Sequence, residues 1–323
     1  MNSKMIEQIL QLVARSQTVF VASHENPDGD AIGSTLALAI ALREMGKDVV
    51  AYNRDPAPYE YTFLPGCDTL VNELDPSRTF DAGFVLDAGD LNRAGSWIRE
   101  RCQSLVNMDH HPYSKDFGDI YYVDTEACAT GVMIYRLLLA AGHKISNEVA
   151  TCIYTAILSD TGSFRYSNAN PEAFQVAGEM VALGVDPWSI ASGLYESQDE
   201  VRLRLLTLAL PTLRVSSCGL YASIAVTLDM YAATGAEESD TDRFINYPRS
   251  IRGVEVAIFF RELSENSYKI GFRSKGNVDV GALARAMGGG GHHNAAGATV
   301  EGTLESVQEW VYDRVARLIA EQR

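Results

Sequence analysis

The chain has 323 residues, 46% hydrophobic and 21% charged, the balance of a globular protein long enough for two domains of ordinary size. Its 42 acidic and 27 basic residues leave a formal net charge of -15, which repels long polyanions and disfavours a protein that clamps duplex nucleic acid by counterion release. A short anionic substrate held by metal ions is not excluded, because the ions' own charge is absent from that sum.

The first residues, MNSKMIEQILQLVARSQ, spread polar groups through an amphipathic pattern and read as a surface helix rather than a signal peptide or membrane anchor. Residues 18–22 are a strand that runs into His24, turns through Asn26-Pro27 and delivers Asp28 and Asp30 before an alanine-rich helix over 32–45. In an extended loop, side chains two apart point to opposite sides, so these carboxylates can serve two different centres. Taken alone, a solvated turn with a helix N-cap explains the stretch equally well. Gly46 reads as a C-cap, and a strand over 47–52 completes a parallel crossover unit. Residues 52–76, with four prolines, are loops around short helical pieces. Strands over 80–86 and 105–108 end in Asp87 and in Asp109-His110-His111. A strand over 121–123 and helices over 130–141 and 146–158 follow, the second helix closing on Ser159-Asp160-Thr161-Gly162. Three ligand-type clusters thus fall at the carboxyl ends of separate strands, where an open parallel sheet binds its ligands.

Helices over 172–183 and 189–210 lead to a second series: strands over 220–226, 254–261 and 268–274, with a helix over 240–247. Asp279 caps a helix over 280–287, which runs into Gly288-Gly289-Gly290-Gly291-His292; a strand near Ala298 and a helix over 304–320 finish the chain. The expected fold class is α/β: an N-terminal parallel-sheet domain over 1–190, a linker helix over 191–213 and a smaller α+β domain over 214–323, with the active-site cleft between the domains. The cysteines, Cys67, Cys102, Cys128, Cys152 and Cys218, show no CxxC spacing and read as reduced thiols of a cytoplasmic protein.

His24, Asp28, Asp30, Asp87, Asp109, His110, His111 and Asp160 combine carboxylate oxygens with imidazoles and no thiolate, a donor set for manganese, magnesium or cobalt rather than structural zinc. Four carboxylates balance two divalent ions, and ions about 3.5 to 4 Å apart stabilise both the attacking and the leaving oxygen at phosphorus. Phosphoester hydrolysis is the favoured chemistry. The glycine run has its own reading, a nest of backbone N–H groups that approaches an anion, with Arg273 and His292 adding charge.

The stretches HENPDGDAIGS, VLDAGD, NMDHH and LSDTGSF resemble, in order, the four motifs of the DHH phosphoesterase superfamily. GFRSKGNVDVGALARAMGGGGHHNAAG resembles the DHH-associated C-terminal domain, and together they resemble the stand-alone two-domain nano-RNase group, oligoribonucleases that are also 3',5'-bisphosphonucleotide phosphatases. The resemblance implies one metal on His24, Asp28 and Asp87 and a second on Asp30, Asp87, His110 and Asp160, with Asp87 bridging. It gives His111 the scissile phosphate and the leaving oxygen's proton, and gives Asp109 the support of a histidine tautomer. Arg273, Ser274, Gly290, Gly291 and His292 are assigned to the substrate's terminal phosphate or first nucleotide, and Arg165, with Ser163, Phe164 and Tyr166, to phosphate or base contact, wall packing being the alternative.

The expected activity is a manganese-dependent phosphodiesterase, trimming single-stranded RNA of about two to five nucleotides to mononucleotides. The alternatives are a soluble phosphodiesterase of cyclic-di-AMP or linear pApA and, furthest from it, a non-catalytic nucleotide sensor. Long duplexes and membranes are not expected partners, and a homodimer is implied by resemblance only. His143 reads as a surface or capping histidine and Trp188 as a helix-start anchor, while His293 has no assigned role.

Overall fold

A computed structural model describes residues 2–322, with the side chains of Asn2 and His292 outside the described set. The chain divides into two compact units, Met1–Ser197 and Gln198–Arg323.

In the first unit, α1 (Asn2–Arg15) precedes β1 (Thr18–Ala22), α2 (Gly29–Glu44), β2 (Asp48–Tyr52) and the two-residue β3 (Leu70–Val71). Then come β4 (Phe80–Leu86), α3 (Leu91–Ala94), α4 (Ile98–Arg101), β5 (Cys102–Asp109) and β6 (Ile120–Val123). The helices α5 (Thr130–Ala140), α6 (Asn147–Asp160), α7 (Pro171–Ala182) and α8 (Pro187–Tyr195) complete it. All six strands run parallel, in the order β3-β2-β1-β4-β5-β6. The order reverses between β1 and β4, so the crevice beyond their carboxyl ends is the topological switch point where such sheets bind ligands. Continuous apolar runs such as Phe84-Val85-Leu86 suit strands covered on both faces. The helix α2 is small or aliphatic all round and buried along most of its length, which makes it a core helix. It lies close against α6: a Cβ on Gly33 would stand 2.6 Å from the Cys152 carbonyl oxygen.

The second unit holds α9 (Glu200–Ala209), β7 (Arg214–Val215), β8 (Tyr221–Val226), α10 (Leu228–Thr234), α11 (Asn246–Ser250) and β9 (Val256–Ser264). It continues with β10 (Ser267–Ser274), α12 (Val280–Ala286), β11 (Gly290–His292), β12 (Ala295–Glu301) and α13 (Leu304–Glu321). Its mixed sheet has the order β11-β12-β10-β9-β8-β7, with only β8 and β9 parallel among the described pairs. Val307, Val311, Val315 and Ile319, one helical turn apart on α13, bury themselves with Ile258, Phe260, Ile270 and Phe272 of the sheet.

Three expectations need correction. The single helix over 189–210, and with it a continuous linker helix over 191–213, is broken between α8 and α9. The break separates two allegiances: Ile190 and Leu194 are buried in the first unit's core, whereas Leu205, Leu206 and Ala209 join a cluster of the second. The helix over 240–247 is a 3-10 turn over Glu238–Thr241 followed by α11, interrupted where Arg243 takes a left-handed φ of 65°. The glycine run is not an open nest, because Gly290–His292 pairs antiparallel with Ala295–Gly297. A Cβ on Gly289 or Gly291 would lie 2.1 or 2.4 Å from β12 backbone atoms, so close backbone approach demands those glycines; Gly290 opens onto space.

Candidate active site

Each site residue lies at the end of a strand, in a loop that follows one, or at the end of a helix. Beyond β1, the His24 Nδ1–H donates to the Glu25 carbonyl at 2.7 Å, since a carbonyl can only accept; the tautomer is thereby set, with Nε2 turned to Asp28 Oδ1 at 4.0 Å and Asp87 Oδ2 at 3.7 Å. Asn53, after β2, steadies this tip by donating to Ser23 Oγ and the His24 carbonyl, both at 2.9 Å. Asp28 caps α2, accepting from the N–H groups of Asp30 and Ala31 at 3.1 and 3.0 Å. Asp30 already lies in the first turn of that helix, so the helical step, not an extended loop, separates the two carboxylates.

Asp30 is fully buried and fully held: Ser34 Oγ and the Gly131 N–H donate to Oδ1 at 2.7 and 3.0 Å, and the Thr130 N–H donates to Oδ2 at 2.6 Å. Asp87 follows β4 with a φ of +57°, a left-handed conformation that aspartate tolerates better than most residues. Its Oδ1 accepts from Thr130 Oγ1 at 3.1 Å. After β5, the His110 Nδ1–H donates to the Ala127 carbonyl at 3.1 Å, which turns Nε2 to Asp87 Oδ1, Asp30 Oδ2 and Asp160 Oδ2 at 3.5, 3.7 and 3.9 Å. His111 bonds Asp109 Oδ1 through Nδ1 at 2.8 Å, and its ring meets that of His110 edge-on. Asp109 is itself fixed by the backbone N–H groups of His111 and Gly89 at 3.0 and 2.8 Å. Asp160 ends α6 and accepts from Asn168 Nδ2 at 2.9 Å.

Burial pushes the Asp87 carboxyl well above the usual carboxylate range, and Asp30, Asp28, Asp109 and Asp160 push it further. Burial also raises Asp30, partly offset by His110, and pushes Asp160 up to about 7. His24 is lowered, chiefly by burial. For Asp109 burial acts upward, but its bonds with His111 outweigh that and hold it far below its ordinary value. His111 is raised in return: Asp109 overcomes the lowering effect of burial.

This donor set fits divalent metal. His24, Asp28 and Asp87 place one ligand atom each within 4.8 Å of one another, as do Asp87, His110 and His111. His110 Nε2 is buried with no hydrogen-bond partner among the described residues, although three carboxylates face it. Separations of 3.5 to 3.9 Å are too long for hydrogen bonds, but they suit atoms that share a cation bound at about 2 Å. Asp87 addresses both groups with different oxygens, Oδ2 toward His24 and Oδ1 toward His110.

All eight residues singled out in the sequence therefore meet in one cluster. Arg165 donates through Nε to the Gly162 carbonyl at 2.6 Å, and Phe164 stacks on Phe174. Arg273 and Ser274 end β10 in the second unit, where Arg273 donates to the Phe272 carbonyl and Ser274 to Asn294 Oδ1. Gly290 and Gly291 lie on β11 beside His292, whose side chain is outside the described residues. His143 pairs with Glu44 at 2.7 Å, and Trp188, 71% exposed, opens α8. Sequence reasoning missed Ser34, Thr130, Gly131 and Asn168. A hydroxyl or amide near a helix end reads as ordinary capping, and only the assembled fold shows which carboxylate it holds.

The DHH family N-terminal domain matches residues 18–157, and the DHHA1 domain matches residues 220–321. A Thermus thermophilus protein called bifunctional oligoribonuclease and PAP phosphatase is 34% identical over 99% of this chain and 94% of its own length. A Bacillus subtilis protein of the same description is 29% identical, covering 91% of this chain and 92% of its own. Among solved structures, an exopolyphosphatase-related protein from Bacteroides fragilis superposes with a TM-score of 0.92 at 28% identity, over 98% of this chain and 96% of that one. With its strand-end histidines and aspartates gathered at the switch point and a DHHA1 domain following, the chain belongs to the DHH family of phosphoesterases.

Proposed function

We propose that the chain hydrolyses short single-stranded RNA, of about two to five nucleotides, to mononucleotides, and also removes phosphate from 3',5'-bisphosphonucleotides. The observation that carries the chemistry is the buried, unpartnered His110 Nε2 facing three carboxylates beside the His24, Asp28 and Asp87 group. The substrate class rests on the relatives described as bifunctional oligoribonuclease and PAP phosphatase, which match nearly end to end. The net charge of -15 supports short over long polyanions.

In this proposal His24, Asp28 and Asp87 hold one divalent ion, and Asp30, Asp87, His110 and Asp160 hold a second, manganese being the favoured metal. When bound, the ions supply Lewis-acid stabilisation of charge at phosphorus and a nucleophile from water at neutral pH. His111, whose pKa Asp109 raises against the effect of burial, gives a proton to the leaving oxygen. Arg273, Ser274, Gly290, Gly291 and His292 bind the terminal phosphate or first nucleotide, and Arg165 assists. The dispersed free cysteines support a reducing, cytoplasmic setting.

The test is incubation with manganese and, separately, a labelled RNA dinucleotide, a five-nucleotide RNA, a 3',5'-bisphosphonucleotide and cyclic-di-AMP. Loss of both short RNAs to mononucleotides, and of phosphate from the bisphosphonucleotide, each abolished by chelator, is expected. Turnover of cyclic-di-AMP alone, or of none of the four, would overturn the proposal.

A further inference from the structure

From Thr130, the first residue of α5, we infer a positioning residue that sets how the Asp87 carboxylate is shared between the two halves of the metal cluster. This rests on the reading that the cluster holds divalent ions. Thr130 reaches two carboxylates at once: its backbone N–H donates to Asp30 Oδ2 at 2.6 Å, and its Oγ1 donates to Asp87 Oδ1 at 3.1 Å. It is fully buried, so neither bond competes with solvent.

The position of the hydroxyl decides its role. Asp87 Oδ1 faces His110 Nε2 at 3.5 Å and His111 Nδ1 at 3.4 Å, whereas Oδ2 faces His24 Nε2 at 3.7 Å. A carboxylate can rotate about its last torsion through a broad range, and rotation would withdraw one oxygen from each side together. The Thr130 hydroxyl is a donor anchored to a helix end. Its bond to Oδ1 selects the orientation in which the oxygens divide between the His24 side and the His110 side. Of the neighbours of Asp87, His24 and His110 have their Nδ1 protons committed to backbone carbonyls and turn acceptor nitrogens toward it.

The same residue ties the bridge to Asp30. Because one residue holds both carboxylates, Asp30 Oδ2 and Asp87 Oδ1 are both kept near His110 Nε2, at 3.7 and 3.5 Å. Outer bonds of this kind fix first ligands, and their loss commonly weakens metal binding about 10- to 100-fold.

The experiment is a calorimetric titration of manganese into the metal-free protein, for the wild type and for Thr130→Val and Thr130→Ser. Valine keeps the shape and the backbone N–H to Asp30 but removes the donor to Asp87; serine keeps both. The expected result is about 10-fold or greater weakening of manganese affinity in Thr130→Val, recovery to within about threefold in Thr130→Ser, and unchanged thermal unfolding of both in chelator. If Thr130→Val does not fold, Thr130→Ala against Thr130→Ser carries the same comparison. Equal affinity of the valine and wild-type proteins would overturn the role of Thr130. Absence of manganese binding by the wild type would instead overturn the metal reading on which it rests.

Discussion

Asp87 sits under two constraints that ordinarily conflict. Its backbone lies in the left-handed region and its carboxyl is buried among four other aspartates that raise its pKa. Asparagine accepts that backbone conformation and removes the charge, so Asp87→Asn separates shape from electrostatics. Without metal the variant should melt at a higher temperature than the wild type, because buried like charges are relieved. It should also lose the stabilisation that manganese confers and at least about 1,000-fold in kcat/KM on an RNA dinucleotide, or about 4 kcal/mol. Calorimetry with and without manganese, beside steady-state kinetics, checks both halves; a variant that still responds to manganese would remove Asp87 from the bridging position. At this scale the sequence was most informative where a side chain is chemically unusual for its place, as with two adjacent histidines at a strand end. Asn168 and Thr130 carry no such signal, since their importance lies wholly in which carboxylate the fold brings to them.

Between elements, the packing of α2 on α6 governs the site. The first of these helices carries Asp28 at its cap and Asp30 in its first turn, and the second ends in Asp160. They approach closely because Gly33 lies against the α6 backbone, while Gly131 of α5 leaves room for Ala156, whose Cβ would be 2.5 Å from an added one. Gly33→Ala must therefore push backbone against backbone, at a cost of about 1 to 3 kcal/mol. A lowered urea midpoint with an unchanged slope is expected, together with a higher manganese concentration for half-maximal activity, because the helix ends that carry three carboxylates move apart. Loss of stability without any change in manganese requirement would show that the ligands tolerate the shift. Strands and helices of the first unit were legible because apolar runs and N-caps are local. The break between α8 and α9 was not, since it depends on which core each segment joins; nor was the pairing of β11 with β12, since a glycine run reads as a loop even when its partner strand lies only a few residues further on.

For the whole molecule, the raised carboxyls give the metal-free protein an inverted pH response. Asp30, Asp87 and Asp160 have folded pKa values above the unfolded value of about 4. Between those values the native state binds more protons than the unfolded chain, so stability falls as pH rises. Asp160, pushed to about 7, extends the window through neutrality. His111, raised by Asp109 against its burial, adds to the fall, since its contribution is lost as pH rises through its folded pKa. His24, lowered by burial, acts the other way as a single group. The melting temperature in chelator should therefore drop between pH 5 and pH 8, and saturating manganese should flatten or reverse that drop; a chelated protein that gains stability over this range would contradict the assignment.

The parallel sheet of the first unit has a further consequence, for the order of events as the chain acquires its structure. Its site residues follow β1, β4, β5 and α6, spread from His24 to Asp160, and no hairpin can bring them together. Parallel pairings of such separation close slowly, because long loops must be ordered before their contacts form. The nest of carboxylates thus exists only once the sheet is in register, and an ion that binds it arrives too late to guide the search. What bound metal can change is the rate of leaving the native state, so its benefit to the protein is persistence rather than speed of formation.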